Sequence, residues 1–376
     1  MLTDDDLQIQ DGARRFARER LIPQSAAWDR GEPVPDALLR EMGELGYLGL
    51  LIPEEYGGSG ACLLTYVVAL EEISAGNGGL STLMHVHGLG TAGPIARFGT
   101  PAQKQRWLPA MASGEAIGAV CLTEPNAGSD VAAIRTRAVR SEGGWRLSGV
   151  KQFISNGARA KIAIVLAVTD PHAGRRGMTL FLVPTDTPGF KVGKPEEKMG
   201  QRTSDTVQIT LDDCEVPEDA ILGGLNQAFG LTMGLLSDGR ISIAAQAVGM
   251  ASAALDHAVA YARERTAFGK PLTGHQAVAF RLADMATSVE VARTFTQATA
   301  RKFDAGVDCV SEASMAKLFA GEMAERVCSD AIQIHGGYGY LKDYPVERIY
   351  RDVRVCQIYE GTNDIQRLII SRKVCA

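Results

Sequence analysis

Apolar residues recur at three- and four-residue steps over the first third and the last two fifths of the chain, and gather in short alternating runs between them. Thr3, followed by Asp4, Asp5 and Asp6 and later by Arg18 and Arg20, predicts a capped helix whose charges suit its dipole. Pro23 is expected to end it. Pro35 opens a second helix through Met42, and the Pro/Gly-punctuated stretch from Tyr47 to Gly60 reads as a crossover. Helical spacing returns over Leu64 to Ala75, around Leu80 to Leu89, and over Pro101 to Met111.

From Ala116 to about Val216 the texture changes. The runs AIGAVCLT, KIAIVLAV, MTLFLV and TVQITL, and TRAVRSEGGWRLSGVKQFIS with Gly143-Gly144 at its tip, predict an antiparallel sheet or small barrel. After Gly223-Gly224, Val248, Ser252, Leu255, Val259 and Ala262 restore the helical period. The small residues Ala244, Ala245, Ala247, Gly249 and Ala251 allow close helix approach. Breaks at Gly269-Lys270-Pro271, Asp304 to Asp308 and Gly336 to Tyr340 divide this part into four helices, a bundle. The expected fold is α+β, mainly α, in three domains: an N-terminal helical domain (1–116), a middle antiparallel β domain (117–226) and a C-terminal four-helix bundle (227–376).

At 376 residues, with 45% hydrophobic and 22% charged, the chain can bury a large core. A net charge of -5 and a pI near 5.8 argue against nucleic-acid or anionic-membrane partners. Seven cysteines without CxxC spacing read as reduced thiols. His85 and His87 lie two apart, but no Cys or carboxylate joins them at metal spacing, so no metal site is expected. The N-terminus shows no signal core or Arg/Ser-rich presequence, and no apolar run approaches membrane-spanning length. A soluble cytoplasmic protein is expected, with a mature mitochondrial matrix form as the alternative.

Two stretches carry candidate chemistry. Tyr359-Glu360-Gly361-Thr362 reads as a turn, with Thr362 or Asn363 capping a helix whose apolar face holds Ile365, Leu368 and Ile369. Its carboxylate stands ahead of a helix N-terminus, although most such residues are solvated loop acids. Cys121 to Asp130, CLTEPNAGSD, leaves a strand through small residues and presents backbone N–H groups and two hydroxyls to a heteroaromatic or a phosphate, or forms a tight β-turn.

With KQFISNG (151–157), RERTAFGKPLTGHQ (263–276), QIHGGYGY (333–340) and YEGTNDIQR (359–367) in this order, that stretch resembles the acyl-CoA dehydrogenase family across essentially the whole chain. The resemblance implies FAD, its isoalloxazine ring lying between the β domain and the bundle. Val120, Leu122, Thr123, Gly128 and Ser129 match the segment along the ring, and Phe153 to Ser155 match a second, with Phe153 where many members carry Trp. Arg265, Phe268 and Gln276 match residues holding the distal half of FAD. Gln333, Gly336 and Gly337 match a stretch that reaches in from a neighbouring subunit, and Thr362 and Asp364 match further cofactor contacts.

Glu360 matches the family's catalytic base. The implied reaction removes the proton next to a thioester carbonyl and passes hydride from the next carbon to flavin N5, leaving a trans-2-enoyl-CoA. The thioester oxygen is held by the ribityl 2′-hydroxyl and the Glu360 N–H. Burial between substrate and flavin is expected to raise the carboxyl pKa toward working pH. Some branches place the base at the position of Gly239, which supplies no carboxylate. Ser129, Ser237, Asp238, Arg240, Tyr359 and Gly361 match substrate contacts, Arg240 lying near base and substrate.

Ser81 to Gly90 matches the helix lining the acyl end. Ser81 stands where glutaryl-specific relatives keep an arginine, which disfavours a dicarboxylic acyl group. The run from His335 to Asp352 and the DGR around Gly239 look like short-chain and short branched-chain members. The implied partners are acyl-CoA, electron-transfer flavoprotein and further copies of the chain, as a homotetramer built from two dimers. Two other readings remain: a same-fold flavin oxidase or monooxygenase using oxygen, and a non-enzymatic flavin-binding scaffold, against which the acidic charge and intact Glu360 argue.

Overall fold

The computed structural model describes residues 2–375, with the backbone alone described at 233–236. Helix α1 (Asp4–Phe16) begins at a capping box in which Thr3 Oγ1 accepts from Asp6 N and Asp6 Oδ2 accepts from Thr3 N. Pro23 does not end this helix. The chain passes through a π-helical turn (Ala17–Leu21) into α2 (Ile22–Asp29), and Pro23 falls in the first turn of α2, where its missing N–H costs little. α3 (Asp36–Glu44) and α4 (Leu63–Gly76) follow, α4 buried on nearly every side. α5 (Gly78–His85) is capped by Asn77 and runs through a second π turn (Val86–Ala92) into α6 (Gly93–Phe98), and α7 (Pro101–Ala112) starts from a Thr100/Gln103 capping box.

The sheet holds β1 (Gly118–Cys121), β2 (Arg137–Ser141), β3 (Gly144–Ser155), β4 (Ile162–Val168), β5 (Met178–Pro184), β6 (Phe190–Val192), β7 (Thr206–Pro217) and β8 (Ile221–Leu222). Its order is β6-β7-β3-β2-β4-β5-β8, with β1 beside β4. It is mixed rather than wholly antiparallel: β1 and β4 run parallel from Gly118 opposite Ile162 to Cys121 opposite Val165, and β2 touches β4 in parallel at Arg137 and Val168. The intervening β2–β3 hairpin returns the chain to β4 in the direction of β1. The hairpin tip is Glu142-Gly143, one residue earlier than expected, because Gly144 already pairs with Ser141; a Cβ on Gly144 would meet Val216 O at 2.1 Å.

The C-terminal part has three long helices, α8 (Ala228–Glu264), α9 (Gln276–Asp304) and α10 (Val310–His335). A small hairpin, β9 (Thr266–Ala267) and β10 (Lys270–Pro271), joins the first two. The expected fourth helix is divided into α11 (Pro345–Val353) and α12 (Asn363–Val374) by the turn that carries Glu360. By length and composition α8 is apolar enough to cross a membrane, contrary to expectation; it packs against α4, α9 and α10 as a core helix. A Cβ on Gly249 would meet Glu71 O at 2.1 Å, so this glycine sets the close approach of α8 to α4.

Candidate active site

Glu360 lies on the turn entering α12 with a left-handed backbone, φ +54°, followed by Gly361 at +84°. A non-glycine residue there costs on the order of 1–3 kcal/mol, so its surroundings must hold it. Gln366 Nε2 donates to Glu360 O at 3.1 Å and to Gly361 O at 2.8 Å. The buried Lys317 Nζ donates to Gly361 O at 2.8 Å and to Asn363 Oδ1 at 3.1 Å, and Thr362 Oγ1 accepts from Ile365 N. The buried face of α12 is therefore Asn363 and Gln366, not the expected Ile365, Leu368 and Ile369, and Leu368 is exposed. Among the described residues, the Glu360 N–H donates to no protein acceptor.

The carboxylate is flanked by two helices. Oε1 lies 3.2 Å from His85 Nε2 at the end of α5, and His85 Nδ1 lies 2.8 Å from Ser242 Oγ on α8. Oε2 faces Gly239, where a Cβ would stand 2.9 Å away. Arg240 is buried on α8 with its Nε unpartnered, and His85 makes the direct contact. Burial raises the Glu360 pKa as expected, but the hydrogen bond and attraction of His85, with the charges of Arg240 and Lys317, outweigh it. The net shift in the chain alone is downward, so the carboxyl is ionised at neutral pH in the free protein; the expected rise concerns the carboxyl covered by substrate and flavin.

His85 is the residue that reading the sequence missed. Its spacing from His87 suggests only a metal pair, yet residues two apart on a helix point to different sides. His87 faces β1, its Nδ1 accepting from Gly118 N at 3.2 Å, and burial pushes its pKa down to about 4. Ser237 and Asp238 are buried on the same turn of α8 as Arg240; Asp238 pairs with Arg97 at 2.8 Å, and burial, partly offset by Arg97, pushes its pKa up to about 6. The Tyr359 hydroxyl turns into the core, donating to Gln246 Oε1 at 2.7 Å. Gln246 Nε2 donates to Ser81 Oγ and Thr82 Oγ1, and Thr82 donates to Gln201, so the polar side chains beneath Glu360 are paired with one another.

The loop after β1 is held from below. Glu124 accepts from Thr136 N, from Arg135 N and from Lys151 Nζ at 2.8 Å, and Lys151 also donates to Leu122 O. Burial raises the Glu124 pKa, and Lys151 with these donors brings it below the ordinary value. Above this buried pair, Leu122 and Thr123 are half-buried, Gly128 and Ser129 are exposed, and space over the Gly128 Cα is open. Thr123 O accepts from Gln152 N, which brings the loop beside Phe153. Phe153 sits at a register shift in β3 with φ +58° and 63% exposure. An exposed aromatic ring, an open glycine and two hydroxyls on a loop anchored by Glu124 and Lys151 fit a flavin ring. Val120 and Ser155 flank it, half-buried.

A second group lies at the α8–α10 ends. Arg265, Gly336 and Gly337 line one pocket of about 440 Å³ with Tyr261 and Tyr338, and Arg265 Cζ stands 5.8 Å from the Tyr338 ring centre. Gln333 and Gln276 are exposed nearby in sequence, and Gly336 N donates to Gln333 O. Phe268 is 97% exposed on the β9–β10 turn. Arg265 offers a cation, and the Gly336-Gly337 backbone, open where a Cβ would stand, is one a diphosphate can approach closely. Asp364 is exposed and pairs with Arg367, and the Thr362 hydroxyl is engaged as the α12 cap.

Three family models match the chain: acyl-CoA dehydrogenase N-terminal domain over residues 3–115, middle domain over 119–214 and C-terminal domain over 226–375. The chain is 45% identical over 371 residues to an acyl-CoA dehydrogenase of Bacillus subtilis, covering 99% of this chain and 98% of the relative. It is 45% identical over 359 residues to the mitochondrial short-chain specific acyl-CoA dehydrogenase of Homo sapiens, covering 95% and 87%. The solved structure of butyryl-CoA dehydrogenase from Megasphaera elsdenii matches with a TM-score of 0.97 at 39% identity, over 100% of this chain and 99% of that one.

Proposed function

The chain belongs to the acyl-CoA dehydrogenase family, whose enzymes depend on FAD, and from this we propose that it oxidises a short or short branched-chain acyl-CoA to the trans-2-enoyl-CoA with Glu360 as base. The observation that carries the proposal is the Glu360 carboxylate, ionised in the free protein, aimed into the gap left by Gly239. Glu360 takes the α-proton, and the electron pair of that C–H bond becomes the new double bond as hydride leaves the β-carbon. FAD, when bound, supplies the hydride acceptor. The unspent Glu360 N–H donates to the thioester oxygen, and the charges of Arg240 and Lys317 favour the negative charge that develops there.

Leu122, Thr123, Gly128, Ser129, Phe153 and Ser155, with Val120 behind them, would hold the flavin ring. Arg265, Phe268 and Gln276 would hold the distal half, together with Gln333, Gly336 and Gly337 of a second copy. The near-complete exposure of Phe268 in one chain supports such sharing and the homotetramer it implies. Ser129, Ser237, Asp238, Tyr359 and Gly361 would bound the thioester, in an enzyme divided at 1–116, 117–226 and 227–376. A short acyl group is supported by the names of the relatives and by Ser81, whose hydroxyl is bonded to Gly78 O and Gln246 and which offers no cation to a second carboxylate. Electron-transfer flavoprotein is the proposed acceptor and the cytoplasm the proposed compartment.

Anaerobic butyryl-CoA or isobutyryl-CoA is expected to bleach the flavin, and Glu360→Gln to abolish bleaching while FAD stays bound. Normal bleaching by that variant would remove Glu360 from its role. Slow reoxidation in air is expected; rapid peroxide release would replace the dehydrogenase with an oxidase.

A further inference from the structure

We propose that His85, seated by Ser242, is a positioning residue for the base: it donates from Nε2 to Glu360 Oε1 and so leaves Oε2 as the atom that receives the substrate proton. An imidazole with one N–H has one donor and one acceptor, and an ionised carboxylate only accepts. The proton of this pair therefore sits on Nε2, 3.2 Å from Glu360 Oε1. In the neutral ring Nδ1 is then the acceptor and the hydroxyl of Ser242, 2.8 Å away, donates to it; in the charged ring the hydroxyl accepts, and Nε2 donates to Glu360 in both. His85 and Ser242 are both buried, on helices α5 and α8 that pack directly on each other, so the ring is fixed from behind.

The two carboxylate oxygens thus have unlike surroundings. Oε1 is held by the ring. Oε2 faces the one residue of the α8 turn that has no side chain, with the site of a Gly239 Cβ 2.9 Å from Oε2 and 3.8 Å from Oε1. A donor bond to a carboxylate favours its ionised form, so the rising limb of the pH profile, on which the base loses its proton, lies lower with His85 present. The other groups facing Glu360 are Arg240 and Asp238 on α8 and Lys317 on α10. All three residues are present in every variant compared, so a difference between variants is assigned to residue 85.

The inference rests on Glu360 being the base. The test compares wild type, His85→Leu, which removes the donor, and His85→Gln, which keeps one. All are prepared as FAD-loaded holoenzyme and checked for flavin occupancy and melting temperature. The readouts are the pH dependence of kcat/KM with butyryl-CoA and of α-hydrogen exchange with D2O, a proton-transfer measurement that consumes no oxidant. His85→Leu is expected to move the rising limb up by about one pH unit, the size of a charge-assisted hydrogen bond, a tenfold loss of rate on that limb. His85→Gln is expected to stay near wild type. A His85→Leu limb that coincides with wild type overturns the proposal, and so does an equal shift in both variants, because donation would then not be what the ring supplies. If His85→Leu fails to fold, Ser242→Ala is read instead: an upward limb shift supports the seating of the ring, and an unmoved limb overturns it. Glu360→Gln separates the two readings: turnover in that variant removes the base itself, whereas an inactive Glu360→Gln with an unmoved His85→Leu limb removes only the role of His85.

Discussion

Gly239 shows how much one missing methyl group decides. In the middle of a helix an alanine is favoured over glycine by about 0.5–1 kcal/mol. At this position the added Cβ would stand 2.9 Å from Glu360 Oε2 and displace the atom proposed to receive the substrate proton. Gly239→Ala is therefore expected to leave the melting temperature unchanged or higher while turnover falls at least tenfold, measured side by side on FAD-saturated protein. Around Glu360 the turn and the cap were legible in the sequence, from Gly361 and from Thr362 or Asn363, and Thr362 is the cap, whereas the part of Glu360 in the chemistry was read from the family resemblance alone. The company it keeps was not legible. His85 is separated from it by 275 positions, and only the packing of α5, α8 and the turn puts an imidazole where burial alone would have raised the pKa.

Among elements, the loop after β1 depends on a buried ion pair more than on its own turn geometry. Lys151 is inaccessible and Glu124 nearly so. Lys151→Met leaves Glu124 a buried carboxylate with backbone donors alone, and removal of one partner from such a pair costs about 3–5 kcal/mol. A loss of that size in unfolding free energy, read as a lower denaturant midpoint at unchanged slope, is expected, together with weaker FAD retention, since Lys151 also carries Leu122 O. Elements whose ends are written locally were readable: α3 after Pro35, α4, α7 with its capping box, and the long strands. Those set by partners elsewhere were not. Pro23 was absorbed by a π turn, β1 found a parallel neighbour in β4, and α12 buried amides because the Glu360 turn needed their donors and acceptors.

At the scale of the whole molecule, a polar junction ties the three parts together. Asn77 donates to Ser25 and Thr203, Gln201 meets Thr82, Tyr359 and Asp352, and Arg351 spans Asp29 and Glu347. Burial pushes the Asp352 pKa up to about 6 from 3.8, against the lowering effect of its bond from Gln201 N. The folded protein thus keeps a proton there that the unfolded chain has released. This group's contribution to stability falls as pH rises from about 4 to about 6 and is constant beyond. Asp352→Asn should remove that dependence, so melting temperatures across this window should show the variant gaining on wild type as pH rises. Parallel curves would mean that Asp352 is ionised in the fold throughout.

The π turn at Val86–Ala92 has one more consequence. It follows His85 directly and itself carries the residues that press on β1: His87 holds Gly118 N, and a Cβ on Gly90 would meet Val120 Cγ2 at 2.9 Å. A π turn contains one residue more than an α turn, and each residue swings a helix by about 100°. Deleting a single residue here would leave an unbroken helix, yet His85 could face Glu360 only by unseating the contacts to β1, or keep those contacts only by turning its ring away. This stretch works as a vernier between the Glu360 carboxylate and the loop after β1: its length cannot change without uncoupling the two.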